Sequence, residues 1–338
     1  MKLIVDCDTG IDDALALIYL LTSMDATQHG LAGIPGAADS SNPVDLIGVT
    51  ASFGNTTARQ SARNSLDLLD LFGHSDVPVF LGHEHALGAR SFEVSPGSAF
   101  IHGLNGVGDV ELPHSAREVE KMPADEFFIE SARRYGSDLT ILSTGSFTSL
   151  AAAITRAPEA MAKLGRIVMM GCALTVPGSV NAWTEANVSQ DPESADTVLR
   201  SGLPLVIVGR DVTAVTHLAT DVPLRWKESG SRIGLLLGQM VAFYQRAYAV
   251  NFPALHGCFL PDPLAMAITL DESLVTNWLS RDLCIELDGP TRGRTIANRD
   301  NLFQHSSTRV ALDYQRDLFL KRFLSLMDAQ IHRDSSVD

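Results

Sequence analysis

The chain has 338 residues and a net charge of −14, with 45% hydrophobic and 20% charged residues. This is the composition of a folded globular protein, and its negative charge argues against a nucleic-acid partner. A small neutral or cationic ligand, or a metal ion, suits the acidity better.

Neither a membrane span nor a secretion signal is predicted. No apolar stretch approaches the roughly 20 residues of a span, and the apolar run after Lys2 ends at Val5. Cys-x-x-Cys spacing is absent, which predicts buried free thiols in a reducing compartment, so we expect a cytoplasmic protein. The cysteines are Cys7, Cys172, Cys258 and Cys284.

Short apolar runs typical of strands alternate with helical patterns along the chain. The first strand, KLIV, leads into DALALIYLL, which is apolar nearly all round and predicts a buried helix. The later strands are VDLIGVTAS, VPVFL, DLTILST, RIVMMG and PLVIVG, and the helices between them are ARQSARNSLDLLDLF, ADEFFIESARRY, SLAAAITRA and PESADTVLRS. Repeated β–α units with strands apolar throughout predict an α/β fold, a mostly parallel central sheet with helices on both faces.

No internal repeat or compositional break divides the chain. We therefore predict one domain over residues 1–332, followed by a polar tail, 333–338. Residues 24–43, MDATQHGLAGIPGAADSSNP, are rich in glycine, proline and small residues, which predicts a mobile loop insertion. A second Gly-rich stretch, GARSFEVSPGSAFIHGLNGVGD, lies near enough to a strand end to cover a site.

Polar residues accumulate where the predicted strands end. Asp8 follows the first strand, Asn55 the second and Thr144 a middle one, while Glu185 and Asn187 lie in a loop after another. Ligands bind parallel sheets beyond the carboxyl ends of the strands. We therefore expect the active site at this edge.

The stretch DCDTGIDD places four aspartates within eight residues. A tight turn at Gly10 and a helix cap by Asp12 or Asp13 account for one or two of them. They do not account for Asp8, because clustered carboxylates sheltered from water need a compensating cation. Oxygen ligands favour Ca²⁺ or Mg²⁺.

An Asp-x-Asp directly after a strand also occurs in phosphatases of the haloacid-dehalogenase type, which use an aspartate nucleophile. Such enzymes do not characteristically place a second acidic pair at the helix start. The tail IDDALA therefore argues against this alternative.

Taken together, the motifs resemble those of the inosine–uridine nucleoside hydrolases. DCDTGIDDALAL resembles the family's amino-terminal Asp-x-Asp-Pro-Gly-x-Asp-Asp-Ala signature. The resemblance continues in order through GVTASFGNTTARQSARNSLDLL, IHGLNGVGD, ILSTGSFTSLA, VMMGCAL with WTEANVSQDPESAD, HGCFLPDPLA and LDGPTRGRTI. Seven motifs in sequence, from residue 4 to about residue 296, make the resemblance specific.

The resemblance implies a Rossmann-like nucleoside hydrolase fold and Ca²⁺-dependent cleavage of ribonucleosides, purine or pyrimidine, to ribose and a free base. The implied ligands of the ion are Asp8, Asp13, the backbone carbonyl of Thr144, and Asp262. Asp12 would be the general base that deprotonates the attacking water. The family resemblance also implies a role in nucleoside salvage and a homodimer or homotetramer.

Ribose recognition would fall to side chains that bond sugar hydroxyls: Asn55, Ser179, Glu185 and Asn187. Ser179 stands where the family has asparagine, and Asn181 lies two residues further on. Either of the two can make that contact.

The leaving group poses a separate question, because Pro261 stands where many members carry a histidine that protonates the departing base. His102, in the Gly-rich loop, aligns with a family histidine near the nucleoside, and His256 is a second candidate. A catalytically weak calcium- and ribose-binding homologue is therefore a further alternative. Thr9, which replaces the proline of the first motif, is expected to loosen its turn while keeping the carboxylates in register.

Overall fold

The computed structural model describes residues 1–28, 43–302 and 306–335. Its strands are β1 (Lys2–Cys7), β2 (Asp45–Ala51), β3 (Val79–Leu81), β4 (Leu139–Ser143), β5 (Arg166–Met170), β6 (Leu205–Val208), β7 (His217–Ala219), β8 (Gly257–Phe259), β9 (Val275–Ser280), β10 (Leu283–Ile285), β11 (Thr295–Ala297) and β12 (Thr308–Tyr314). Its α-helices are α1 (Ile11–Gln28), α2 (Ala58–Leu71), α3 (Pro96–His102), α4 (Ala124–Tyr135), α5 (Thr148–Arg156), α6 (Pro158–Met161), α7 (Ala186–Gln190), α8 (Pro192–Leu199), α9 (Arg210–Thr213), α10 (Val222–Glu228), α11 (Arg232–Asn251), α12 (Pro261–Leu270) and α13 (Arg316–Ser335).

A central sheet of eight strands has the order β3-β2-β1-β4-β5-β6-β12-β9. Seven of these strands are parallel, and only the edge strand β9 pairs antiparallel, with β12. The predicted α/β fold with a mostly parallel sheet is therefore confirmed. The strand order reverses between β1 and β4, and such a reversal opens a crevice at the carboxyl edge where ligands bind.

Alternating side chains of each strand fill two separate cores, one on each face of the sheet. In β1, Leu3 and Val5 belong to one core while Ile4 belongs to the other. In β6, Val206 belongs to the first core and Ile207 to the second. Successive strand residues point to opposite faces, so a strand covered on both sides must be apolar throughout. This is why the strands read as unbroken apolar runs.

Helix α1 is buried, as its sequence predicted. Every residue from Ile11 to Leu21 is buried, and the helix packs against α12 and α13. The burial explains the apolar character on all sides of the helix. Its first turn is thereby held at the carboxyl end of β1.

Two predicted segment boundaries are corrected. Helix α1 continues to Gln28, so residues 24–28 of the predicted loop insertion are helical, and residues 29–42 lie outside the described residues. No glycine or proline precedes Gly30 to end the helix, and Met24 is still buried. Helix α13 likewise runs to Ser335 and includes the start of the predicted polar tail, 333–338, of which residues 336–338 are outside the described part.

The four cysteines are free and buried, as predicted. Over the ranges that the structure describes, no helix combines the length and apolarity needed to cross a bilayer.

Candidate active site

The turn between β1 and α1 brings aspartates to the carboxyl edge of the sheet. Asp8 follows β1, and Asp12 and Asp13 lie in the first turn of α1. The backbone N–H of Gly10 donates to Asp13 Oδ2 at 2.8 Å. A Cβ atom at Gly10 would lie 2.5 Å from Asn55 Nδ2 and 2.7 Å from His102 Nδ1, so a larger residue would displace these two side chains. The turn is thus packed tightly against the loop that follows β2.

Thr9, which was expected to loosen this turn, is held in it by side-chain hydrogen bonds. Its φ of +29° is in a region that non-glycine residues rarely adopt. The side chain is fully buried, and its hydroxyl lies 2.9 Å from the hydroxyls of Ser61 and Ser65 on α2. These hydrogen bonds fix the turn to α2. Proline, with φ near −65°, cannot adopt this conformation.

Three buried carboxylates converge in the crevice. One oxygen each of Asp12, Asp13 and Asp262 lies within 4.8 Å of the others. Asp262 reaches the group from the first turn of α12, which begins at Pro261. Asp8, which the sequence predicted as a ligand, adjoins the group through a hydrogen bond with Asp13.

The electrostatics of this cluster favour a bound cation. Burial, followed by the charge of Asp12, raises the pKa of Asp13 to about 6. Burial also raises the pKa of Asp8 and of Asp262 well above the usual range, with neighbouring aspartates adding to the effect. Ionised together, these groups need a positive charge between them. An all-oxygen donor set fits a hard divalent ion.

Asp8 and Asp12 differ in how their oxygens are occupied. Asp8 accepts from the backbone N–H of Asn55 at 2.6 Å and from its Nδ2 at 3.0 Å, one bond to each oxygen. Asp12 Oδ2 accepts from the Tyr244 hydroxyl at 3.1 Å, whereas Oδ1 is buried and lacks a partner among the described residues. Asp12 therefore presents a free acceptor at the cavity wall.

Thr144 and Asn187 form the next part of the wall. The Thr144 hydroxyl donates to Asp13 Oδ1 at 2.7 Å. Asn187 Nδ2 donates to the Thr144 carbonyl at 2.7 Å and to the Met170 carbonyl at 3.1 Å. Asn187 thus orients the carbonyl that the sequence predicted as a metal ligand, and that oxygen keeps a second lone pair.

Glu185 caps helix α7 from inside the cavity. Its Oε2 accepts from the backbone N–H groups of Asn187 at 2.9 Å and Val188 at 3.2 Å. Burial raises the pKa of Glu185 to about 7. Ser179 lines the same wall, and its Oγ accepts from Ala186 N at 2.9 Å.

Asn181, the alternative to Ser179, is turned away from the cavity. Its Oδ1 accepts from the backbone N–H groups of Trp183 at 2.8 Å and Thr184 at 2.9 Å. Of the two residues, Ser179 is the one that lines the cavity.

His102 and His256 occupy different environments. His102 ends α3, a helix within the predicted covering loop, and lines the cavity with Nδ1 3.7 Å from Asp12 Oδ1. Burial lowers the pKa of His102, although Asp12 opposes the shift. His256 is exposed and does not line the cavity. Pro261 does line it, as the first residue of α12.

The cavity brings together most of the predicted site residues. Those that line it are Asp12, Asn55, His102, Thr144, Ser179, Glu185, Asn187 and Asp262. Asp8 and Asp13 lie behind this wall, and Asn55 joins them by donating also to Asp13 Oδ2 at 3.3 Å.

Further lining residues were missed from the sequence. The i, i+4 spacing of Tyr244 and Tyr248 places both on one face of α11, and their hydroxyls lie 3.3 Å apart. Arg210 lies two residues after the end of β6, where the strand-end rule could have identified it. Met170 and Phe259 also line the cavity but read as ordinary core residues in the sequence.

The fold and site define a class of α/β enzymes that carry an acidic, metal-capable cavity at the carboxyl edge of a parallel sheet. The chain matches the family described as "Inosine-uridine preferring nucleoside hydrolase" over residues 3–321. It is 32% identical over 298 residues to "Uridine nucleosidase 1" of Arabidopsis thaliana, covering 88% of this chain and 82% of that protein. It is 29% identical over 325 residues to "Pyrimidine-specific ribonucleoside hydrolase RihA" of Klebsiella pneumoniae, covering 95% of this chain and 96% of that protein.

Among solved structures, the "Purine-Preferring Ribonucleoside Hydrolase from Gardnerella vaginalis" superposes with a TM-score of 0.89 at 42% identity, covering 98% of this chain and 99% of that one. The chain belongs to the inosine-uridine preferring nucleoside hydrolase family and is an N-ribohydrolase that acts on ribonucleosides. The family is metal-dependent, and the acidic cluster can hold a metal ion.

Proposed function

We propose that this enzyme catalyses Ca²⁺-dependent hydrolysis of the N-glycosidic bond of ribonucleosides, giving ribose and a free base. The convergence of Asp12, Asp13 and Asp262 is the observation that carries this proposal. Ca²⁺ is preferred to Mg²⁺ because it takes more oxygen ligands in less rigid geometry, backbone carbonyls included. A set of carboxylates beside the Thr144 carbonyl suits that preference.

The proposed ligands are Asp8, Asp13, the Thr144 carbonyl and Asp262, with Asp12 as the general base. When bound, the ion would make the attacking water more acidic and orient the ribose diol. Asp12 suits the role of base because its Oδ1 is uncommitted, while Tyr244 holds Oδ2. The carboxylates also stabilise the oxocarbenium character that develops on the sugar.

Ribose would be held by Asn55, Ser179, Glu185 and Asn187. Both asparagines donate through Nδ2 to the site itself, which leaves their amide oxygens to accept from sugar hydroxyls. The Ser179 hydroxyl accepts from Ala186 N and can still donate its own proton. Glu185 lines the wall between these groups.

The departing base would be protonated by His102. Its Nδ1 accepts from Ile11 N at 3.2 Å, so in the neutral ring the proton resides on Nε2. Pro261 has no proton to give, and His256 lies outside the cavity. A purine offers N7 for protonation, and the 42% identical relative is named "Purine-Preferring", so we propose purine nucleosides as the better substrates.

The test incubates the purified enzyme with inosine, uridine and a phosphate ester, with Ca²⁺ or with a chelator. We expect reducing sugar from the nucleosides, no phosphate release, and about one Ca²⁺ per chain by metal analysis. Phosphate release would support the haloacid-dehalogenase alternative. Calcium and ribose binding without turnover would identify the catalytically weak homologue, and zinc, or activity with no metal present, would refute the calcium site.

The assembly and the compartment are also proposals. We propose a homodimer or homotetramer, which light scattering of the purified enzyme would measure. The four buried free thiols support a reducing compartment, and hence the cytoplasm.

A further inference from the structure

The wall of the cavity beyond β6 carries a cation in otherwise acidic surroundings. Arg210 lies two residues after the end of β6, is half-buried and lines the cavity. Its Nε donates to the Pro177 carbonyl at 2.9 Å. Within the described part of the chain it makes no other side-chain hydrogen bond and no ion pair within 4 Å, although its charge acts on the buried Glu185 carboxylate of the same cavity. The two terminal nitrogens of the guanidinium are therefore left to bind a ligand.

Two hydroxyl groups line the cavity with this cation. Pro177 lies two residues before Ser179, so the bond to Pro177 brings the guanidinium next to the Ser179 loop. Thr213, in the same short helix as Arg210, also lines the cavity. The guanidinium and the Thr213 hydroxyl, which is uncommitted among the described residues, are groups that bind an anionic oxygen cluster.

The position of Arg210 relative to the reacting carbon follows from the sheet. Asp12 follows β1 and Arg210 follows β6. In the sheet, β6 is the third strand from β1, and neighbouring strands are about 4.8 Å apart. If C1′ of ribose faces Asp12 and the diol faces the metal-capable carboxylates, C4′ lies on the far side of the sugar ring. The 5′ substituent then points to the wall that carries Ser179 and Arg210.

We propose that Arg210 and Thr213, next to the ribose contact of Ser179, form a subsite for a 5′-phosphate, and that the enzyme also cleaves ribonucleoside 5′-monophosphates. This inference rests on the proposed function. The products are the free base and ribose 5-phosphate. Water oxygen forms the bond to C1′, the C1′–N bond breaks with its electron pair going to the base, and the base takes up a proton. The phosphate ester is not changed.

The experiment compares kcat/KM for inosine and inosine 5′-monophosphate in wild type, Arg210→Leu and Arg210→Lys. Free base is measured directly, and inorganic phosphate is measured to detect any phosphatase. We expect Arg210→Leu to lower the ratio of monophosphate to nucleoside kcat/KM about 10- to 100-fold, the loss expected for charge-assisted hydrogen bonds. Arg210→Lys keeps the charge but not the planar guanidinium, so its ratio should lie between those of wild type and Arg210→Leu.

Arg133→Leu is the matched control, because Arg133 is exposed near the end of α4 and does not line the cavity. It should leave the ratio unchanged. Ribose 5-phosphate should inhibit competitively far better than inorganic phosphate or ribose alone, which separates a subsite for the 5′-phosphate from general anion binding.

Three outcomes would overturn the subsite while leaving the proposed function intact. In the first, the wild type neither cleaves the monophosphate nor is competitively inhibited by it; inhibition without cleavage would keep the subsite but overturn the proposed cleavage. In the second, Arg210→Leu lowers kcat/KM equally for inosine and its monophosphate, as expected if Arg210 only holds the loop. In the third, Arg210→Leu changes the preference between bases whether or not the substrate carries a 5′-phosphate. If inosine itself were inert, the proposed function would fail first.

Discussion

Asp12 and Asp8 lie in one cluster, but their hydrogen bonds predict different chemistry. Asp12→Asn is nearly isosteric and removes a base whose Oδ1 is otherwise uncommitted. We expect kcat to fall about 10²–10⁴-fold while fold and calcium content stay close to wild type. Excess Ca²⁺ should not restore the rate, because the proton acceptor rather than the ion is missing. Steady-state kinetics and metal analysis measure both quantities.

Asp8→Asn is the matched variant. If Asp8 is a ligand, its loss weakens calcium binding, and excess Ca²⁺ should recover much of the rate. The opposite pattern, in which Ca²⁺ rescues Asp12→Asn but not Asp8→Asn, would exchange the two roles. Retention of more than half the wild-type kcat by Asp12→Asn would show that some other group activates the water.

His102 predicts a dependence on the leaving group. Nitrophenolate departs without a proton, a purine departs after protonation, and uracil departs poorly unless its charge is stabilised. We therefore expect wild type to cleave nitrophenyl riboside fastest, then purine nucleosides, then uridine. His102→Ala should reduce purine cleavage about 10²–10⁴-fold and nitrophenyl riboside cleavage much less, measured as kcat/KM.

His256→Asn is the control, since His256 is exposed and asparagine tolerates its positive φ of 52°. It should behave like wild type with all three substrates. Uridine cleaved as fast as nitrophenyl riboside would reveal a strong acid elsewhere in the cavity. Normal purine cleavage by His102→Ala would remove His102 from the mechanism without affecting the calcium chemistry.

At the scale of elements, the turn from β1 into α1 determines where the aspartates lie. Thr9 holds this turn through its bonds to Ser61 and Ser65 on α2. Thr9→Val keeps the shape but removes the hydroxyl, and we expect it to lower the free energy of unfolding by about 1–3 kcal/mol. Thr9→Pro also imposes an incompatible φ and should destabilise the protein by more than the ~1 kcal/mol that a proline at a compatible position adds to stability.

Thr9→Ser is the control, because it retains the hydroxyl and should be the most stable of the three variants in urea unfolding. A Thr9→Pro variant as stable as wild type would show that the turn can take another conformation. Calcium binding measured on the same three variants would show whether a displaced turn also displaces the aspartates.

At the scale of the whole molecule, the acidic site predicts an unusual pH dependence of stability. Burial raises the pKa of Asp13 to about 6 and of Glu185 to about 7, and it also raises the pKa of Asp6, a buried residue of β1, to about 6. Unfolded carboxyls titrate near pH 4, so between about pH 4 and pH 7 the folded chain binds more protons. Without Ca²⁺, the melting temperature should therefore fall as the pH rises through this window.

Bound Ca²⁺ should oppose this loss, because the ion binds the ionised carboxylates. At about 100 times its Kd it adds about 2.7 kcal/mol of stability. Melting curves from pH 4.5 to 7.5, with Ca²⁺ or a chelator, measure both effects. Asp262→Ala should remove the Ca²⁺-dependent part, and a melting temperature that Ca²⁺ leaves unchanged at pH 7.5 would contradict the site.

The sequence determined the order of the main strands and helices as far as β6 and predicted the edge of the sheet at which the site lies. By contrast, β7 to β12 and the helices among them were not predicted. A parallel sheet is covered by helices on both faces, so its strands are apolar throughout. Short apolar runs separated by helical patterns were therefore enough to predict such a sheet. The spacing of Asp8, Asp12 and Asp13 around Gly10 likewise indicated a charged turn. Both features depend on residues that are close together along the chain, so they can be predicted from sequence periodicity and spacing.

The tertiary structure alone decided which oxygens are free and which side chains meet. Asp12 and Tyr244 are 232 residues apart, yet one hydrogen bond joins them. Arg210 reaches the cavity because β6 lies three strands from β1, and Asn181 is excluded from it by turning back on its own loop. The physical reason is that strand order and helix packing bring distant segments together, whereas periodicity and spacing carry information only about neighbours along the chain.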